Sequence, residues 1–252
     1  MPLLPEKLLY EILTQDPSKT PWENWRPYAE KLHGTHFRAS QTVEELRSKE
    51  VKRGRRTRII IDTKASKRML RFVNAVSPDP DVQWEFTEEA KKEQKRLAET
   101  IPAGYRKSFQ NIIKTRDWQD DIAEIRTIKK RCRNFEEAFF KHLDQHDGYL
   151  QSLLMKVDKQ PKAHCGYTPR RGWISFELLR LQLCQVYRWL YDGIKEGRDI
   201  KTKKIENAHM DITYLAMLPF ADGIVSADKG LTEVARAAFP KAKVWNDLDQ
   251  CI

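Results

Sequence analysis

The 252-residue sequence has few of the features that mark secreted, membrane-spanning or zinc-knuckle proteins. It holds only four cysteines, and no two of them are in CxxC spacing, so neither a disulfide scaffold nor a short zinc motif is expected. The N-terminal MPLLPEKLLYEIL lacks the basic start and the small-residue cleavage site of a signal peptide. No apolar run approaches the ~20 residues that a membrane span needs. We therefore expect reduced thiols and a soluble, cytoplasmic protein that binds no membrane.

Acidic residues are fewer than basic ones. The chain has 46 Lys and Arg against 36 Asp and Glu, which gives a formal net charge of +10. A basic balance of this size favours an acidic partner, most often nucleic acid. Apolar residues make up 40%, enough for a folded core at this length. The sequence shows no P-loop, no GxGxxG and no Ser–His–Asp arrangement.

Apolar periodicity predicts a largely helical chain with short strands. The clearest helix is 174–192, where five apolar residues from Phe176 to Leu190 recur at alternating intervals of three and four. Further helices are predicted at 42–51, at 65–76 and across most of 88–155, and a long loop at 156–172. Short strands are predicted at 59–61 and at 82–86, with Thr87 as the N-cap of the next helix.

The stretch from residue 204 to 245 predicts an α-β-α-β run. A helix is stopped by Pro219, GIVSAD forms a strand ending at Asp228, LTEVARAAF forms a helix, and AKVW forms a last strand. Such a run is typical of a parallel, helix-covered sheet. Asp62 also follows an apolar strand, and functional groups gather at the carboxyl ends of strands in open α/β sheets. Asp62 and Asp228 are therefore expected at one sheet edge.

Asp211 lies on the helix that precedes the strand of Asp228, and Asn207 lies one turn earlier on the same face. Several carboxylates brought together repel each other unless a cation neutralises them. Mg²⁺ or Mn²⁺ would do so, because hard divalent ions take oxygen ligands. A pair of such ions can activate water for phosphodiester cleavage.

The segment NAHMDITYLAMLPFADGIVSADKGL resembles the C-terminal half of PIN-like nuclease domains. Asn207, Asp211 and the turn of Ser226, Ala227 and Asp228 match the positions of that family's motif. RIIIDT, at 58–63, resembles the family's opening strand, which ends in its first catalytic Asp, and this match assigns Asp62. The resemblance covers roughly 58–90 and 200–246.

The resemblance implies a PIN-like three-layer α/β fold with a short central parallel sheet. It implies an N-terminal helical extension over 1–57 and a nuclease domain over 58–252, with a helical insertion at about 90–200. The family's further acidic residue falls among Glu85, Glu88 and Glu89, and Glu89 is preferred by position. Asp62, Asp211 and Asp228 would then hold Mg²⁺ or Mn²⁺, Glu89 would complete the catalytic set, and Asn207 and Ser226 would be auxiliary.

The implied function is a metal-dependent endonuclease, a hydrolase for which RNA is favoured over DNA. Such nucleases are frequent in toxin and antiviral (phage-defence) systems, where an inhibitory protein partner restrains them. An alternative of another class is a basic, non-catalytic nucleic-acid-binding or scaffolding subunit with a vestigial acidic set.

Basic residues lie close in sequence to the predicted acidic site. KRGRRTR, at 52–58, precedes Asp62, and KTKK, at 201–204, precedes Asn207. Positive flanks suit a phosphodiester substrate. Tyr167 and Trp173 flank two further arginines and would suit stacking on bases, although an ordinary loop packed by its aromatics is the alternative. The candidate phosphate-binding residues are Arg53, Arg55, Arg56, Arg170, Arg171, Lys203 and Lys204.

Structural roles compete with each functional one. Asp228 is also a natural helix N-cap, and Asp62 and Asp222 are also natural turn residues. Asp211 and Glu89 are also ordinary charged residues of a solvated surface, and so are the basic runs. His142 and His146 are four residues apart, a metal-like spacing, but no nearby Glu completes HExxH, which favours a structural role.

Overall fold

The computed structural model describes residues 3–5, 12, 15–16, 18–32, 38–58, 60–74, 80–115, 118–157 and 166–246. The chain is mostly helical, with a few short strands in small sheets. It divides into an N-terminal unit, residues 1–46 and 58–100, and a C-terminal unit, residues 47–57 and 101–252. The chain passes from the C-terminal unit back to the N-terminal unit between residues 57 and 58, where the sequence places a domain boundary. The two domains and their roles stay predictions.

The N-terminal unit contains a three-stranded sheet of very short strands. Strand β1 (Leu3–Pro5) runs parallel to β2 (Arg38–Ser40), and β2 pairs antiparallel with β3 (Ile61–Asp62). Helices α1 (Pro21–Leu32) and α3 (Thr63–Asn74) belong to the same unit, and α3 packs against β2. Helix α2 (Val43–Arg53) begins in this unit and continues into the C-terminal one.

The predicted strand at 59–61 is only partly observed. Ile59 lies outside the described residues, Ile60 is buried, and Ile61 is exposed at 37%. The expectation that the strands of Asp62 and Asp228 share one parallel sheet is wrong, because β3 pairs antiparallel in the N-terminal sheet while the strand of Asp228 lies in a separate one. Strand β3 consists of Ile61 and Asp62 alone, both paired with β2, and the chain turns into α3 directly after Asp62.

The predicted strand at 82–86 is also wrong. These residues lie in helix α4 (Pro80–Thr115), whose 36 residues also include Thr87, the predicted N-cap. Pro80 starts the helix, a position at which proline is favoured, and the charged sequence after residue 87 propagates it. The short alternating run at 82–86 therefore adopts the helical conformation of the longer segment to which it belongs.

The C-terminal unit is a helical bundle around helix α8 (Ile174–Tyr191), which confirms the prediction at 174–192 to within one residue. Its largest fully buried side chains are Trp189, Phe176, Phe135, Phe139 and Phe109. Helix α8 packs against α5 (Trp118–Lys129), α6 (Phe135–Leu143), α7 (Asp147–Val157) and α9 (Thr202–Leu215), and its Trp189 also contacts Phe109 of α4. The described part of 90–200 is thus mostly helical, while its status as an insertion stays a prediction.

The α-β-α-β run predicted for residues 204–245 is confirmed. Helix α9 is followed by β4 (Gly223–Val225), α10 (Lys229–Ala238) and β5 (Lys243–Trp245), and the two strands pair in parallel. Gly223 is required there, because a Cβ at that position would lie 2.1 Å from the carbonyl oxygen of Lys243.

Among the described residues, no helix combines the length and apolar character needed to cross a bilayer.

Candidate functional site

Asp228 lies beyond the carboxyl end of β4, which ends at Val225 rather than at Asp228 as predicted, and it caps the helix that follows. Its Oδ1 accepts a hydrogen bond from the Leu231 N–H at 2.9 Å, and its own N–H donates to the Ser226 hydroxyl at 3.1 Å. The Ser226 N–H donates to the Trp245 carbonyl at 2.9 Å, which fixes the turn to β5. The side chain of Asp228 is exposed. A carboxylate has acceptor capacity beyond one capping bond, so this geometry suits both a cap and a cation ligand.

Asp211 and Asn207 lie on α9, one turn apart, as predicted. Asn207 is exposed and Asp211 is half-buried, while Ala208 and Ile212 are buried. The sequence of α9 therefore turns one apolar face to the bundle and leaves this polar pair beside it.

The other two predicted acidic residues belong to the N-terminal unit. Asp62 accepts a hydrogen bond from the Ala65 N–H at 2.8 Å and so caps the start of α3. Glu89 lies within α4, and its side chain is outside the described residues. Asp211 and Asp228 belong to the C-terminal unit, and the convergence of all four residues stays a prediction.

Two of the predicted phosphate-binding arginines are held by protein groups. The Arg56 guanidinium donates to the Pro219 carbonyl at 3.1 Å and lies 4.7 Å from the Phe220 ring centroid. Arg171 donates to Asp147 at 2.9 Å and also pairs with Asp144. The remaining candidates are exposed at the surface of the C-terminal unit: Arg53, Arg55, Arg170, Lys203 and Lys204.

The predicted base-stacking aromatics are not available to a ligand. Tyr167 and Trp173 are buried, 4% and 6% exposed, with ring centroids 6.0 Å apart in an edge-to-face arrangement. The alternative of a loop packed by its own aromatics fits this geometry. The described part of the loop is further fixed by the Gly172 N–H, which donates to Glu177 at 2.8 Å.

A buried carboxylate that sequence reasoning missed joins two of the basic segments. Glu50 is fully buried and accepts hydrogen bonds from the N–H groups of Thr57, Ile174 and Ser175 and from the Ser175 hydroxyl, at 2.9 to 3.3 Å. Burial raises the pKa of this carboxyl above its ordinary value, against the lowering effect of those hydrogen bonds.

The hydrogen bonds of Glu50 bring together basic residues that are distant in sequence. Residues 52–58 are thereby tied to the start of α8, and a Cβ at Gly172, next to Arg171, would lie 3.5 Å from the Arg56 Cζ. Helix α2 is polar at most positions, so no pattern indicated that Glu50 is buried.

A second cluster consists of Glu124, His142 and His146 in the C-terminal unit. One ligand atom from each lies within 4.8 Å of the others, and among the described residues it is the one such group of three His, Cys, Asp or Glu. The spacing of the two histidines was visible in the sequence. Glu124 was missed because it lies on α5, eighteen residues before His142, and only the packing of α5 against α6 brings it near.

Comparisons of the chain with protein-family models, with curated proteins and with solved structures found no match.

Proposed function

We propose that the chain is a metal-dependent nuclease that cleaves phosphodiester bonds, with RNA favoured over DNA. The observation that carries the proposal is the α9–β4–α10–β5 run, in which Asp228 lies three residues after the end of β4, a strand that pairs in parallel with β5. Functional groups gather at the carboxyl ends of parallel strands. Asp228 is exposed there, and the turn that presents it is fixed by three hydrogen bonds.

The donor set fits a hard divalent ion. Carboxylate oxygens are the ligands that Mg²⁺ and Mn²⁺ prefer, and such an ion supplies an activated water and charge stabilisation at the phosphate. Asp228 and Asp211 would hold the ion, and the family resemblance adds Asp62 as a further ligand and Glu89 to the acidic set. Asn207 and Ser226 are auxiliary: Ser226 shapes the turn, and Asn207 offers an amide beside Asp211.

The basic surface supports a phosphodiester substrate. Arg53 and Arg55 are exposed next to Arg56, which contacts Pro219 and Phe220, the residues that lead into β4. The segment 52–58 therefore lies beside the connection between Asp211 and Asp228. Positive charge at this place would neutralise phosphates and hold the backbone while contributing little sequence preference.

The finer parts of the proposal follow the family resemblance. They are a PIN-like three-layer arrangement and a toxin or phage-defence setting in which a protein partner restrains the nuclease. The predicted extension over 1–57 is not purely helical, because β1 and β2 lie in it and form a sheet with β3.

A second candidate function is a non-catalytic nucleic-acid-binding or scaffolding subunit. It is favoured by the capping bonds of Asp62 and Asp228, which give both carboxylates a structural role that needs no metal. Both functions use the same basic surface, so binding alone does not separate them.

A cleavage assay with a matched pair of variants separates the two functions. Asp228→Asn keeps the size and the capping oxygen but removes the charge. Asp222→Asn makes the same chemical change at an exposed position before the strand, where the backbone carbonyl of Asp222 rather than its side chain is engaged.

Purified protein is incubated with single-stranded RNA and DNA panels in Mg²⁺ or Mn²⁺. We expect wild type and Asp222→Asn to cleave, and Asp228→Asn to lose cleavage by orders of magnitude with a melting temperature close to that of wild type. Binding without cleavage by wild type would support the second candidate, and full activity in Asp228→Asn would reduce Asp228 to a helix cap.

A further inference from the structure

The cluster of Glu124, His142 and His146 has the dimensions of a metal site. The Nδ1 atom of His142 lies 3.4 Å from the Oε2 atom of Glu124. Two ligand atoms bound to one tetrahedral ion at ~2.05 Å stand about 3.3 Å apart. The ring centroids of His142 and His146 are 5.1 Å apart, and all three ligand atoms lie within 4.8 Å of one another. His146 therefore needs to approach by at most about 1.5 Å.

His142 is buried in a way that leaves one ring nitrogen without a hydrogen bond. The residue is 2% exposed, and its Nδ1 atom has no hydrogen-bond partner among the described residues. A buried polar atom without a hydrogen bond costs free energy, which a bound ligand would recover. The unpaired atom is the one that faces Glu124, toward the centre of the cluster.

The other ring nitrogen of His142 faces a carboxylate held by the helix bundle. Its Nε2 atom lies 3.5 Å from Oδ1 of Asp121, and the Tyr187 hydroxyl donates to Oδ2 of the same residue. Metal-binding histidines usually direct their second nitrogen to a carboxylate, which fixes the ring and its tautomer. Tyr187, Asp121 and His142 thus form a chain that aims Nδ1 into the cluster.

We propose that Glu124, His142 and His146 bind one Zn²⁺-type transition-metal ion, with Asp121 as the positioning residue for His142. Two imidazoles and one carboxylate form a three-ligand zinc set, in which water completes the coordination. Imidazole favours late first-row ions such as Zn²⁺ and Co²⁺ over Mg²⁺ and Ca²⁺. Glu124 is half-exposed, so that solvent reaches the site. The site shares no residue with the proposed nuclease site. A bound ion would connect α5, through Glu124, to α6 and to the turn before α7, through His142 and His146.

The test uses untagged, full-length protein freed of metal with a chelator and titrated with Zn²⁺ by calorimetry at about pH 7.5, because protons compete with metal for histidine ligands at lower pH. We expect one tight site per chain, visible absorption bands of tetrahedral Co²⁺ on substitution, and a higher melting temperature with Zn²⁺. Mg²⁺ at the same concentration should produce none of these effects.

Variants assign the site. Glu124→Gln and His146→Ala should each abolish the Co²⁺ bands, and neither removes a buried core side chain. Asp121→Asn should weaken Zn²⁺ affinity by about 10- to 100-fold while keeping a tetrahedral spectrum. Asp120→Asn, an exposed neighbour on α5, should bind like wild type. Absence of Zn²⁺ binding in wild type, or wild-type affinity in both ligand variants, would overturn the proposal.

Discussion

Glu50 gives the sharpest test of what holds the C-terminal unit together. Helix α8 has no side-chain cap of its own at Trp173, and its first N–H groups, those of Ile174 and Ser175, donate to the carboxylate of Glu50 instead. Both helix residues are buried, at 0% and 1% exposure, so water does not replace a lost acceptor. A carboxylate also suits the positive end of the helix dipole.

The size of the effect follows from the groups left unpaired. Glu50→Ala leaves two buried backbone donors, at about 1–3 kcal/mol each, while it removes the cost of burying a charge. We expect a net loss of about 3 kcal/mol in the free energy of unfolding. For a chain of this size that lowers the melting temperature by roughly 6–12 °C.

Glu50→Gln separates hydrogen bonding from packing. The amide keeps the shape of the side chain but turns an NH₂ group toward backbone donors, so we expect it to lose about 1–3 kcal/mol. Calorimetric melting curves are compared with those of Glu196→Gln, in which an exposed carboxylate paired with Arg198 is neutralised and about 0–1 kcal/mol is expected. A Glu50→Gln protein as stable as wild type would refute the capping role.

The pH dependence has a defined sign. Burial raises the pKa of Glu50 above the ordinary value of 4.5, so the folded state keeps this proton to higher pH than the unfolded state. The stability of wild type relative to Glu50→Gln should therefore fall as pH rises through the window just above 4.5, and level off beyond the raised pKa. A relative stability that rises with pH would contradict the direction of the shift.

The basic surface and the small parallel sheet each give a further prediction. Replacing Arg53 and Arg55 by Ala should weaken nucleic-acid binding for all sequences, measured by fluorescence anisotropy. The slope of log affinity against log salt should fall by about 0.7 to 0.9 for each lost phosphate contact. An unchanged slope would mean that neither residue contacts phosphate. Gly223→Ala should separate β4 from β5, because its Cβ would lie 2.1 Å from the Lys243 carbonyl oxygen, and it should lower the melting temperature more than Ala221→Gly two residues earlier; equal melting temperatures would show that the strand pair contributes little.

Strongly periodic segments were predictable from the sequence. Helix α8 carries one apolar face over eighteen residues, and a pattern of that length and period fits only a helix. The run from α9 to β5 was also predictable, since Pro219 prevents the helix from continuing into β4 and turn residues bound each strand. Residues 82–86 were not, because alternation over five residues cannot be distinguished from the first turn of a helix whose sequence preference lies further along the chain.

Contacts between distant segments were beyond the reach of pattern reasoning. Glu50 meets α8 across 124 residues, and Glu124 meets His142 only because two helices pack side by side. Neither acid has a neighbour in sequence that marks it as buried or as a ligand. The capping roles of Asp62 and Asp228 were anticipated as alternatives, because an acid directly before a helix is a local feature.

The bond between Glu50 and α8 also orders events during synthesis. All of the N-terminal unit, through residue 100, leaves the ribosome before Ile174 does. At 5–20 residues per second, the 124 residues that separate Glu50 from Ile174 take about 6 to 25 s to make. During that interval the basic segment 52–58 is already outside while the groups that fix its preceding helix do not yet exist. The nascent chain thus presents a cluster of positive charge close to the ribosome's own RNA before its fold can hold that cluster in place.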